Sequence, residues 1–214
     1  MNQYAMSAEE YAFLCFASGA KTIYGIKQFH ANPEPEQIAK NLSKKRYIKR
    51  DFDGNTVISK ELSEMISVCV NCERLFILNL SSVYYCKENR IVKLFETTDG
   101  YELYQIDSRQ MWAEILGALP TCEKLHAKDL TDIVLTKKEL ETFKESLGKT
   151  DLYSLVTMRF DGADTVAKSF MVLSSENGLY CLEPQVKNLE NVVHVVKQNE
   201  DEIRQKIEKM KAEE

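Results

Sequence analysis

Three common carriers of catalytic chemistry are missing from this sequence. It has no Gly-x-Gly-x-x-Gly turn, no P-loop and no Gly-x-Ser-x-Gly elbow, and its eight glycines are scattered singly. The minimal parts for dinucleotide binding, phosphate cradling and serine hydrolysis are therefore lacking. No apolar run approaches the roughly 20 residues that a membrane-spanning helix needs. The N-terminal stretch MNQYAMSAEEYAFLCF carries Glu9 and Glu10 and no basic leader, so a secretory signal is not expected and the chain reads as cytoplasmic. The three histidines (His30, His126, His194) have no evident nucleophile or carboxylate beside them. Six cysteines in 214 residues, all within hydrophobic segments, fall short of a disulfide scaffold and read as free thiols.

What is present is an ordinary soluble composition, 44% hydrophobic and 29% charged, with a formal net charge of −5. That balance argues against non-specific nucleic-acid binding, although KNLSKKRYIKR (Lys40–Arg50) is locally basic. Ser7 and Glu10 have the spacing of a capping box, which starts a first helix that Gly19 stops. A second helix starts near PEPEQ, with Ile38 and Leu42 facing inward, and a third places Leu62, Met65, Ile66 and Cys69 at helical spacing. From Glu73 the pattern becomes RLFILNL, SVYYCK, RIVKLFE and YELYQID, short β-branched and aromatic runs that read as an antiparallel meander. Ser108 is the expected cap of a following helix that ends at Gly117.

The order then repeats. Thr136 and Glu139 open a helix, four further strand-like runs follow, and NEDEIRQKIEKMKAEE closes the chain as a helix. The reading is an α+β fold, one antiparallel sheet built from two pseudo-symmetric helix–meander–helix halves, with a winged-helix-like N-terminal segment. A single domain of 214 residues is expected, with half-repeats at about 7–119 and 130–214 and a linker at 120–129.

Two stretches imitate metal sites. RDFDGNTVISKEL offers Asp51, Asp53 and Asn55 at the first ligand positions of a calcium loop. Its sixth position is Thr56 where glycine is needed, and its twelfth is Leu62 where a bidentate carboxylate is needed. The stretch reads better as a hairpin turning at Asp53-Gly54, with Ser59 capping the next helix. Cys69 and Cys72 form a C-x-x-C pair, but at a helix end, and Cys122 with His126 supplies only a loose second half for zinc. No metal and no cofactor is expected. Strand aromatics are the remaining candidates for contact with another protein: Tyr84, Tyr85, Phe95, Tyr101 and Tyr104.

The layout over most of the chain, carried by MSAEEYAFLCFASG and IAKNLSKKRYIKRDFDGNTVISKELSEMISVCVNCE, resembles the cytosolic EspG- and EsaE-type chaperones of type VII secretion systems. The resemblance implies two quasi-symmetric halves sharing an antiparallel sheet, no catalytic residue, and a helical secretion substrate as partner. Two other classes fit the same residues. A winged-helix transcription regulator would use the basic segment, against the net charge and the wing aspartates. An immunity protein to a neighbouring toxin would also be acidic and inert.

Overall fold

The computed structural model describes residues 3–26, 34–53, 55–121, 132–161, 164–187 and 190–212. Its elements are β1 (Gln3–Met6), α1 (Ala8–Ala17), α2 (Pro35–Lys44), β2 (Ile48–Arg50), β3 (Thr56–Ile58), α3 (Lys60–Val70), β4 (Arg74–Leu78), β5 (Ser82–Lys87), β6 (Arg90–Thr97), β7 (Gly100–Ile106), α4 (Ser108–Gly117), β8 (Asp132–Thr136), α5 (Lys137–Ser146), β9 (Thr150–Asp161), β10 (Asp164–Ser175), β11 (Gly178–Lys187), β12 (Glu190–Gln198) and α6 (Glu200–Ala212). Among the described residues no helix is long and apolar enough to cross a membrane. Gly54, His30, Cys122, His126 and most of the expected linker lie outside the described residues.

Ten strands join in the order β1-β7-β6-β5-β4-β9-β10-β11-β12-β8, and β2 with β3 makes a separate hairpin. The order is a palindrome in kind. Each half sets a short leading strand beside the last strand of its own meander, β1 against β7 and β8 against β12, both antiparallel. Each leading strand runs straight into a capping-box helix, Ser7 with Glu10 before α1 and Thr136 with Glu139 before α5. The α+β architecture of two pseudo-symmetric halves is therefore present, and the first half carries an insert, α2–β2–β3–α3, that the second lacks.

Contacts group the chain into two units, residues 1–111 with 158–166, and residues 112–157 with 167–214. In the first, one face of the meander is covered by helices: Tyr11 and Leu14 of α1, Leu42 of α2, and Leu62 and Ile66 of α3 pack with Leu75, Tyr85, Leu94 and Leu103. Each such side chain contributes about 1.5–3 kcal/mol by leaving water. Met158 and Phe160 of β9 join that cluster, and Phe160 N donates to Glu73 O at 2.9 Å. In the second unit, Leu140 of α5 packs on Leu173, Tyr180, Leu182 and Val195, and the Phe143 and Tyr180 rings meet edge to face at 5.4 Å.

Local signals were placed differently at three points. Asp107, not Ser108, caps α4: its carboxylate accepts from Gln110 N at 2.8 Å, and its N–H donates to Gln110 Oε1 at 3.2 Å. Ser59 stands at the N-cap of α3 without making a capping hydrogen bond. Pairing of β2 with β3 runs one bond past the Arg50–Thr56 pair, with Asp51 N donating to Asn55 O at 3.0 Å, which is not the closure of a two-residue turn.

Candidate protein-binding surface

Strand alternation sorts the five aromatics into two sets. Tyr84 pairs with Lys93 and Lys93 with Tyr104, so these side chains share one face of the meander, and Phe95 lies two residues along the same strand. The Lys93 ammonium stands 5.6, 5.1 and 5.5 Å from the ring centroids of Tyr84, Phe95 and Tyr104, within reach of all three ring faces. Tyr85 and Tyr101 belong to the opposite, helix-covered face and sit in the core cluster. The Tyr85 hydroxyl donates to Tyr24 O at 2.6 Å, and burial pushes its pKa, with that of neighbouring Tyr11, well above the usual phenol range.

The five therefore do not form one surface. Tyr84, Tyr85 and Tyr101 are buried, while Phe95 and Tyr104 keep part of their surface open on the Lys93 face. Adjacent aromatics such as Tyr84 and Tyr85 must point to opposite sides of a strand. The signal that separates them in sequence is the phase of Val83, Tyr85, Val92, Leu94 and Leu103, the residues the helices cover.

The wing holds an aromatic that composition alone does not single out. Asp51 Oδ1 accepts from the N–H groups of Asp53 at 3.0 Å and Asn55 at 2.8 Å, which fixes the loop. Phe52 stands at its tip, fully exposed. The carboxylate that heads the calcium-like motif is thus engaged by backbone. Among the described residues no group of three or more His, Cys, Asp or Glu side chains is arranged to hold a metal ion.

Part of the basic segment is structural. Lys45 Nζ pairs with the buried Glu10 at 2.6 Å, the same carboxylate that closes the α1 capping box at Ser7 N. In the second unit an apolar groove of about 370 Å³ runs between α5 and the β11–β12 hairpin, lined by Leu140, Pro184, Val186, Val192 and Val193. Val186 is 74% exposed there. His194, for which sequence offered no partner, lies between two carboxylates, with Nε2 2.6 Å from Asp132 Oδ1 and Nδ1 3.7 Å from Glu183 Oε2. Its partners come from β8 and β11, a juxtaposition that only the ladder creates.

Burial is the main influence on the thiols of Cys15, Cys69, Cys72 and Cys181. Cys15, Cys69, Cys86 and Cys181 are buried and Cys72 half-buried, and these five are thiols rather than disulfide partners. Burial pushes Cys15 up to about 12 and Cys72 up to about 11. Cys15, Cys69, Cys72 and Cys181 are protonated packing groups at neutral pH, not nucleophiles.

No protein-family model matches the sequence, and no curated protein matches it. Among solved structures, the chain is similar to the Mycobacterium tuberculosis type VII secretion system chaperone EspG5, determined in complex with the PE25-PPE41 dimer. The match has a TM-score of 0.59 and covers 94% of this chain and 93% of that one. The chain has an EspG-like fold. At 7% sequence identity the likeness is one of backbone architecture, and it extends over both halves of the EspG-like sheet rather than one meander.

Proposed function

We propose that this chain is a non-enzymatic cytosolic chaperone that binds a helical type VII secretion substrate and keeps it soluble for export. The observation that carries this reading is the EspG-like fold over 94% of the chain, in a neighbour captured with a bound protein dimer. The exposed parts of Phe95 and Tyr104, with buried Tyr84 behind them, are the proposed contact. Both rings supply apolar area, Tyr104 adds a polar hydroxyl, and both lie beside Lys93, a composition suited to a protein interface.

Co-expression with helical-hairpin secretion substrates encoded beside the gene tests the reading. The expected result is a stoichiometric complex in gel filtration, with the substrate insoluble when expressed alone. Replacing Phe95 and Tyr104 together by Ala is expected to weaken that complex at least tenfold while the variant stays folded at the assay temperature, as circular dichroism checks. Absence of a complex with every neighbouring substrate overturns the chaperone reading. A complex indifferent to the double replacement overturns the contact alone.

A further inference from the structure

The two ends of the strand order are finished differently. At β1 the Tyr47 hydroxyl accepts from Ala5 N at 3.1 Å and lies 3.2 Å from Ala5 O, to which it donates. Lys45 Nζ donates to the same carbonyl at 3.1 Å. Both side chains come from the insert that follows α1, so in the first half the insert plugs the outer side of the leading strand. Blocking an edge with side chains is a recurrent protection against strand pairing.

The second half has no such insert between α5 and β9, and among the described residues no side chain plugs β8 in this way. Its inner side pairs with β12 in a continuous register from Asp132 to Thr136, without a bulge. On its outer side no other strand follows in the sheet, and no hydrogen bond from a described residue reaches the backbone of Ile133, Val134 or Leu135 there. The strand, DIVLT, contains neither lysine nor proline, and Val134 is 44% exposed.

We propose that this edge pairs with the same edge of a second copy of the chain, antiparallel about Val134. The five residues are complementary to themselves in that register. Val134 of each copy meets Val134 of the other, Ile133 meets Leu135, and Asp132 meets Thr136. The apolar pairs Ile133–Leu135 extend the α5-covered core face, since both residues already pack on that cluster. Like charges never stand opposite each other, and Lys137, next after Thr136, is set beside the other copy's Asp132. A slip by one residue reverses the faces and loses these matches, so the register is specified. A two-fold contact of this kind is isologous and closes at two copies. Only a short ladder is buried, so the dimer is weak and depends on concentration.

Light scattering on the full chain across a roughly hundredfold range of concentration tests this. The expected result is a monomer at the dilute end and a dimer at the concentrated end. Val134→Lys sets two ammonium groups against each other on the axis and is expected to leave a monomer throughout, with an unchanged melting temperature. In Val134→Cys, mild oxidation is expected to link two chains through the introduced thiols, identified by peptide mass, which keeps the proposal testable if the lysine variant is unstable. A monomer at every concentration, a dimer that survives Val134→Lys, or a cross-link through any other cysteine overturns it.

Discussion

Glu183 shows how a single half-exposed side chain ties a helix to the sheet. Its Oε1 accepts from Lys206 Nζ of α6 at 2.7 Å, and this bond, more than the His194 charge, holds the carboxyl below the usual carboxylate range. A carboxylate depressed in the folded state stabilises the fold above its unfolded pKa, and the contribution fades as pH falls through the folded value. Lys206→Ala is therefore expected to lower stability at neutral pH, and the difference from the parent chain is expected to shrink as the pH is taken down through and below the usual carboxylate range. Urea melts at neutral pH and below that range measure it. The effect is small because both partners are partly in water. An equal loss at both pH values would mean that the Lys206 stem matters by packing rather than by charge. None of this was legible in sequence, since Glu183, His194 and Lys206 come from three separate elements.

Helix starts are the most legible feature at the scale of elements, because a capping box is a local bond between residues three apart. Ser7–Glu10, Thr136–Glu139 and Asn199–Glu202 each show the reciprocal pair. Asp107–Gln110 does too, and there Ser108 is a decoy one residue inside the helix. Asp107→Ala is expected to cost about 1 kcal/mol of stability, while Ser108→Ala stays near neutral. Chemical denaturation of the two variants separates them, and the reverse order would return the cap to Ser108. Strands β1 and β8 escaped because four or five residues carry little periodic signal, and β1 pairs with a strand about a hundred residues away. Only the finished ladder identifies them. The same limit explains the aromatic set: membership in a strand was readable, but the side of the sheet depended on which face the helices cover. Phe52 was missed because a turn aromatic has no period at all.

For the whole molecule, order along the chain was legible and closure was not. The doubled helix–meander sequence predicted two related halves. It contained nothing to say that residues 158–166 would group with the first unit. We propose that the chain unfolds as one domain, because β9 and β10 each contribute residues to both units. Differential scanning calorimetry is expected to show one transition whose calorimetric and van't Hoff enthalpies agree, and two resolved transitions would divide the domain. The placement of Phe160 against Glu73 also bears on how the protein is made. The first unit contains every strand of its own meander once Ile106 has been synthesised, yet its core lacks Met158 and Phe160 until the ribosome has added roughly fifty more residues. At bacterial or eukaryotic elongation rates that interval is about 3–10 s. During it the flank of β4 and the apolar surface destined for those two side chains are open to other chains, so the nascent first half passes through a window in which it can stick to its neighbours before β9 arrives to close it.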